Sequence, residues 1–372
     1  MKTVAHCTAL YLHTAGPWIY PQIDRLRRYR PVVLAQETAN LEAFPVDRIY
    51  SPEAYGPAKR LVNRLVRKWT GEYPFYAGIL ERERVDLIHA HFGTHGARCL
   101  RAKRGSGLPM LTTFYGADAS QEARLPEWQR RYRRLFAEGE GFLVEGNGMK
   151  EQLVRIGCPE EKVQVCHLGV DVERIRFRER EPDGCVRFLI CAGFKEKKGI
   201  PYALRGLARA REERDFPFEL VMIGDGPDRV QLEQLVGELG MEEQILFRGM
   251  QPYAEVLAEL DRCHVLLQTS VTAADGDSEG GAPVILLDAQ AAGLPVVGSL
   301  HADIPEYVVD GRSGLLAPER DVEGVADCIR CLVDVPERWG EMGRAGRRHV
   351  EENYNAALQG ENLEGIYDGF AR

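Results

Sequence analysis

A chain of 372 residues, 44% hydrophobic and 28% charged, has globular composition and room for two or three domains at about 150 residues each, which excludes a disordered chain. No run of 18 apolar residues occurs, which excludes a membrane-spanning helix, and nine scattered cysteines, an odd number, fit a reduced cytosolic protein better than a disulfide framework. The formal net charge of -8 is uneven: residues 1–180 hold 29 Lys and Arg against 21 Asp and Glu, a surplus of +8, and the remainder carries -16. A basic half suits an anionic surface, although two ordinary domains of different surface charge give the same count.

Short β-rich apolar runs alternate with longer charged segments of helical period. The amino-terminal stretch has one lysine and is broken by histidines and by Gly16-Pro17, so it reads as a first strand and not as a signal peptide. Strands are expected in the first half at Val4–Leu10, Pro31–Gln36, Val85–Phe92, Pro109–Phe114, Phe142–Glu145 and Val163–Leu168. In the second half they are expected at Val186–Ala192, Phe218–Ile223, Ile245–Arg248, His264–Thr269, Pro295–Ser299 and Gly314–Ala317. Between them, Leu204, Leu207 and Ala208 share one helix face, as do Leu232, Leu235, Val236 and Leu239. Strand–helix–strand alternation builds a parallel sheet covered by helices on both faces, and here it occurs twice. Such α/β sheets bind ligands at the carboxyl ends of their strands. The charged stretch from Asp171 to Gly184, with Pro182, reads as the interdomain linker.

Three basic clusters mark the first half. Arg25, Arg27, Arg28 and Arg30 form one, and Arg130, Arg131, Arg133 and Arg134 form another. Between them in sequence, Lys59, Arg60, Arg64, Arg67 and Lys68 alternate with Leu61, Val62, Leu65, Val66 and Trp69, an amphipathic pattern of the kind that binds anionic bilayers. The alternative is a helix packed on its own domain with solvated charges. Nucleic acid is a poor partner, since the second half is acidic and no nucleic-acid-binding motif occurs. Further on, Asp86-Leu-Ile-His-Ala-His-Phe-Gly93 puts His89 and His91 on one face at a strand's end. The next strand runs into Tyr115-Gly-Ala-Asp118. A metal pair is conceivable, but no carboxylate or cysteine stands at ligand spacing, so no metal is assigned. The histidines are read as hydrogen-bonding a polyol or ordering the loop.

The second half holds the clearest chemistry. After the strand ending near Thr269 comes Asp275-Gly-Asp-Ser-Glu-Gly-Gly-Ala-Pro283, then an apolar segment containing Asp288. Proline suits a first helical position, so the helix is expected to start at Pro283. The backbone amides of Gly280, Gly281 and Ala282 at that start would then face a phosphate. Asp288, about 7.5 Å further along at 1.5 Å per residue, would reach the hydroxyls of a ribose, and Glu279 a sugar beyond the diphosphate. Lys195, Lys197 and Lys198 precede Gly199 at another strand's carboxyl end, which suits a diphosphate. Gly224-Asp-Gly-Pro227 opens like a dinucleotide fingerprint, but Arg229 stands at its third glycine, which argues against a dehydrogenase.

Taken together these residues resemble glycosyltransferase family 4, whose GT-B fold has two facing Rossmann-like domains. The resemblance covers most of the chain and is strongest from Phe142 onward. It is carried by Glu145-Gly-Asn-Gly-Met-Lys-Glu-Gln-Leu153, Gly157-Cys-Pro, His167-Leu-Gly-Val-Asp171, Gly199, the Gly224 turn and His301-Ala-Asp-Ile-Pro-Glu306. His89-Ala-His-Phe-Gly93 is similar to the branch that builds bacterial exopolysaccharide and lipopolysaccharide. The resemblance implies an acceptor domain at residues 1–175, a nucleotide-sugar donor domain at 176–354, and a segment 355–372 that crosses back to the first.

It further implies sugar transfer with retention of configuration, from a UDP-, GDP- or ADP-linked sugar to a glycan or lipid-linked acceptor in cell-surface polysaccharide synthesis. The donor is a co-substrate, with no separate cofactor and no obligatory metal. The site would lie in the cytoplasm, with docking on the inner face of the cell membrane through the basic half. By this resemblance Lys198 holds the diphosphate with Lys195. Glu279 matches the first donor carboxylate if one extra glycine is allowed, and Asp288 matches the second. Gly224, Gly249 and Met250 line the donor, with Gly280 to Pro283. Gly16, His91, Tyr115 and Asp118 face the acceptor, and His91 joins Glu279 and Lys198 as a catalytic candidate. Gly193 stands where the family has an arginine, and Tyr115 where it commonly has a histidine. These departures support a second reading, a non-catalytic nucleotide-sugar-binding or scaffolding protein on the same fold.

Overall fold

The computed structural model describes residues 1–12 and 17–371. The chain forms two compact units, Met1–Gly169 with Ala356–Arg372, and Val170–Asn355. Gly16 lies outside the described residues.

Unit 1 has seven parallel strands: β1 (Lys2–Tyr11), β2 (Tyr29–Thr38), β3 (Ile49–Tyr50), β4 (Leu87–His91), β5 (Met110–Thr113), β6 (Gly141–Val144) and β7 (Val163–Val165), in the order β3-β2-β1-β4-β5-β6-β7. Unit 2 has six: β8 (Val186–Cys191), β9 (Phe218–Ile223), β10 (Ile245–Gly249), β11 (Val265–Gln268), β12 (Val296–Ser299) and β13 (Gly314–Ala317), in the order β10-β9-β8-β11-β12-β13. Each expected strand is present; the two-residue β3 was not anticipated, being too short to show a period. Both orders reverse beside the first strand of the unit, the switch point where open α/β sheets place ligands. Among the described residues, no helix is long and apolar enough to cross a membrane.

Alternate residues along a strand face opposite sides of its sheet. In unit 1, Val4, Leu87, Leu111 and Leu143 line one face and pack with Leu363 and Tyr367 of the helix Ala356–Asp368. Toward the carboxyl ends this same face turns polar. Val4 is followed by His6, Leu87 by His89 and His91, and Leu111 by Thr113, all buried. The buried Glu364 fastens the helix: it accepts from the amides of Arg27 at 2.6 Å, Arg28 at 2.5 Å and Tyr29 at 3.3 Å, and from the Arg28 guanidinium at 3.1 Å. The first basic cluster is thereby neutralised, with Arg27 and Arg28 facing Glu361, Glu364 and Asp368, and Arg30 facing Glu83.

The stretch Asp171–Gly184 is not a free linker. Val172 and Ile175 are buried in the core of unit 2. The Arg180 guanidinium, also buried, donates to the carbonyls of Asp261 and Ala292, each at 2.7 Å. Arg347 donates to the carbonyls of Val172 and Ile175. Arg180 within the segment and Arg347 outside it thus satisfy carbonyls that would otherwise be buried without partners, while Arg174 and Arg176 stay exposed. The Cys328-x-x-Cys331 spacing falls within the single helix Val322–Asp334, and both thiols are free.

Candidate active site

The chemistry of unit 2 gathers at the carboxyl ends of β8 to β11. After β8 the chain makes a short helical turn, Glu196–Lys198, that ends on Gly199 at φ 60°. A Cβ on Gly199 would stand 1.8 Å from the Thr269 carbonyl oxygen, so only glycine lets this loop press on the end of β11. That approach brings Lys198 to Glu279: Nζ donates to Oε2 at 2.8 Å, and the Ser270 hydroxyl donates to Oε1 at 2.7 Å. Both partners are largely buried. Burial alone would raise the Glu279 carboxyl, but Lys198 and then Lys197 outweigh it and hold it below its ordinary value. The site therefore carries a fixed ion pair at neutral pH. Lys197 belongs elsewhere, paired to Asp277 at 3.1 Å. Lys195 is exposed with no acidic partner among the described residues.

His301 steadies the acidic loop. Its Nε2 accepts from the Glu279 amide at 3.4 Å, and its Nδ1 meets Glu319 at 2.6 Å. The next helix is Ile285–Ala292 and does not begin at Pro283. The carbonyls of Pro283 and Val284 accept from Leu286 at 3.0 Å and Leu287 at 2.8 Å, a tight lead-in turn that displaces the start by two residues. Asp288 consequently lies in the first helical turn. Among the described residues the Gly281 and Ala282 amides make no hydrogen bond, whereas Gly280 donates to the Ser278 hydroxyl. Asp288 is buried and accepts from Tyr253 Oη at 2.9 Å. Burial pushes its carboxyl up to about 7, against a smaller lowering by that hydrogen bond. Gly224, at φ 138°, packs within 1.8 Å (measured from a would-be Cβ) of the Ala192 carbonyl and donates to Gly249, so the ends of β8, β9 and β10 are tied together. Met250 beyond them is 48% exposed, leaving an apolar surface beside this rim.

In unit 1 the polar patch on the sheet is a hydrogen-bonded chain. Tyr115 Oη meets Gln22 at 3.1 Å and His91 Nδ1 at 2.6 Å; His91 Nε2 meets His6 Nδ1 at 3.0 Å. His89 lies between Tyr367 and Thr113, each at 2.6 Å. Burial lowers the pKa of all three histidines, His89 to about 3, and their proximity lowers His6 and His91 further, so they stay neutral. One nitrogen from each of the three lies within 4.8 Å of the others. Thr113 and Tyr367 engage both nitrogens of His89, Tyr115 engages His91 Nδ1, and His6 Nε2 lacks a partner.

Two acceptor-side expectations change. His91 is fully buried with both ring nitrogens engaged and holds Tyr115, so the part-exposed Tyr115 and Gln22 present the polar groups here. Asp118 is also buried, its oxygens spent on the amides of Gly93 at 2.7 Å and of Tyr115 and Gly116 at 3.0 Å. It anchors the helix Gly93–Ser106 and the Tyr115 turn. The sequence reading passed over Ser270, Tyr253 and Gln22, none of which stands in a motif. It quoted His301 within one but assigned it no role.

Two parallel-sheet Rossmann-like units, one with a lysine–carboxylate pair and glycine turns at its strand ends, define a GT-B glycosyltransferase. Residues 22–174 match the family model for Glycosyltransferase Family 4, and residues 171–349 that for Glycosyl transferases group 1. The chain is 34% identical over 293 residues to the amylovoran biosynthesis glycosyltransferase AmsK of Erwinia amylovora, covering 77% of this chain and 71% of that one. It is 33% identical over 291 residues to the putative colanic acid biosynthesis glycosyltransferase WcaL of Escherichia coli K12, covering 76% and 70%. The fold is similar to that of Anabaena HepE in complex with UDP and glucose, with TM-score 0.80, 15% identity, and coverage of 99% and 100%. It is also similar to the lipopolysaccharide outer core galactosyltransferase WaaB, with TM-score 0.72, 16% identity, and coverage of 99% and 100%. The chain belongs to glycosyltransferase family 4 and is a glycosyltransferase enzyme of the exopolysaccharide type.

Proposed function

We propose that the chain transfers a sugar, with retention of configuration, from a nucleoside-diphosphate sugar held by unit 2 to a glycan or lipid-linked acceptor held by unit 1. The amylovoran and colanic acid biosynthesis in the names of AmsK and WcaL support a polysaccharide product, which in this reading is a cell-surface polysaccharide made at the cytoplasmic face of the membrane. The observation that carries this reading is the Lys198–Glu279 pair at 2.8 Å, beside the unpaired amides of Gly281 and Ala282.

When the bond from the sugar's anomeric carbon to the diphosphate breaks, negative charge grows on the leaving phosphate. Lys198, Lys195 and the Gly281 and Ala282 amides would meet that charge with donors already in place. Glu279, ionised and held by Ser270, would accept from hydroxyls of the departing sugar, and Asp288 from the ribose. The ion pair and hydrogen bond on Glu279 disfavour it as a nucleophile. The acceptor hydroxyl then attacks, and its proton passes to the leaving phosphate oxygen. The lysines supply the countercharge, in keeping with a transfer that needs no obligatory metal or cofactor.

Thermal-shift screening against UDP-, GDP- and ADP-sugars should reveal one donor that stabilises the protein by mass action, followed by turnover of that donor. Lys198→Met should lower kcat by about 100-fold or more. It also strips a countercharge from buried Glu279, at about 3 kcal/mol of stability, so rates must be taken per folded molecule. Undiminished turnover would refute the assignment. Stabilisation without turnover would overturn the catalytic roles given to Lys198 and Glu279 while leaving donor binding in place.

A further inference from the structure

The helix Pro57–Thr70 of unit 1 is built inside out. Its one fully buried residue is polar, Asn63, whose amide donates to Gln36 Oε1 at 3.2 Å; Arg67 reaches the same oxygen at 3.4 Å. Its apolar residues face solvent: Leu61 is 53% exposed, Val62 and Leu65 47%, and Trp69 86%. At 3.6 residues per turn these four fall within about 100° of the helix circumference, a single stripe bordered by Arg64 and Lys68.

The helix contains five basic residues and no acidic one. Among the described residues, none of the five forms an ion pair with a carboxylate: Lys59 lies over the rings of Tyr55 and Phe75, and Arg60 donates to the carbonyls of Pro52 and Glu53. Arg27, Arg28 and Arg30, by contrast, are all matched by carboxylates. An apolar stripe edged by uncompensated positive charge fits an anionic layer over an apolar interior. A second copy of the same face would bring like charges together. Gln36, the anchor of Asn63, lies near the carboxyl end of β2, the end of the sheet where His91 closes β4 and Tyr115 follows β5.

We propose that this helix is a membrane-surface anchor. It lies flat in an anionic bilayer, with Leu61, Val62, Leu65 and Trp69 at the acyl boundary and Arg64 and Lys68 on lipid phosphates. The proposal deepens the functional reading by making the acceptor lipid-linked, and it stands or falls separately from donor chemistry.

The test is co-sedimentation of the full chain with vesicles of phosphatidylglycerol and phosphatidylcholine, against phosphatidylcholine alone. Binding should require the anionic lipid, weaken in 0.5 M salt, and shift Trp69 emission to the blue. Arg64→Glu with Lys68→Glu should weaken binding by at least about 25-fold, taking about five-fold per charge near the surface. Leu61→Ser with Leu65→Ser should weaken it while leaving the salt dependence in place. Nucleotide-induced thermal shifts should be unchanged in both variants, because the helix lies outside unit 2. Absence of binding to anionic vesicles, binding unchanged in both variants, or a dimer in sedimentation that the serine variant dissociates would each overturn the anchor. Loss of nucleotide response in the parent protein, with vesicle binding intact, would overturn only the donor assignment.

Discussion

Asp288 shows how one buried carboxyl couples stability to binding. Its pKa is raised from an ordinary 3.8 to about 7 by burial. The native chain keeps this proton over a range in which the unfolded chain has lost it, so Asp288 withdraws stability as pH rises from about 4 to about 7, and no further above that. Asparagine imitates the protonated carboxyl and still accepts from Tyr253. The melting temperature of Asp288→Asn should therefore gain on the parent between pH 5.5 and pH 8. A constant gap across that range would show that Asp288 does not titrate there. Nucleotide affinity should respond in the opposite sense: an ionised Asp288 accepts ribose hydroxyls best, so the parent should bind its donor more tightly through pH 7, and Asp288→Asn should lose that dependence. Lys198, Glu279 and Asp288 stand out in the sequence because glycines and a proline frame them. Ser270 and Tyr253 do not, since a hydroxyl that fixes a carboxylate leaves no spacing signature. The contact of His91 with Tyr115 was not legible, because a strand-end histidine looks the same in sequence whether it faces open space or a tyrosine.

At the scale of elements, the loop Lys195–Gly199 depends on backbone that only glycine tolerates. A methyl at Gly199 would overlap the Thr269 carbonyl at 1.8 Å and strain a φ of 60°. Gly199→Ala should cost about 3 kcal/mol in urea denaturation and displace Lys198 from Glu279, so donor affinity falls with stability. A variant as stable as the parent would mean that the loop relaxes freely. Strands were legible because parallel strands buried on both faces read as unbroken apolar runs. The segment Asp171–Gly184 was not, because an arginine that caps internal carbonyls, as Arg180 does, reads the same in sequence as the exposed Arg174 and Arg176 beside it. The start of the helix at Ile285 was displaced by the same limit: Pro283 marks a turn, and whether that turn is already α-helical is decided by hydrogen bonds.

For the molecule as a whole, hydrogen exchange should separate the two halves of the reaction. A bound nucleotide should slow exchange at residues 195–202, 249–251 and 279–290 of unit 2 and leave β1 to β7 unaltered. Protection confined to unit 1 would reverse the assignment of donor and acceptor. The charge division seen in the sequence acquires a local meaning in the structure: the first basic cluster is internally balanced by Glu364 and its neighbours, and the helix Pro57–Thr70 carries five basic residues and no acidic one. Unit 1 is assembled from two stretches of chain with all of unit 2 between them. On the ribosome, therefore, the sheet of unit 1 emerges first yet waits for Leu363, Glu364 and Tyr367 to cover its apolar face. Unit 2 is continuous and can close before them. A chain that stalls between Asn355 and Leu363 would carry a finished unit 2 tethered to an uncovered sheet, which marks the nascent protein for chaperones until the helix Ala356–Asp368 arrives.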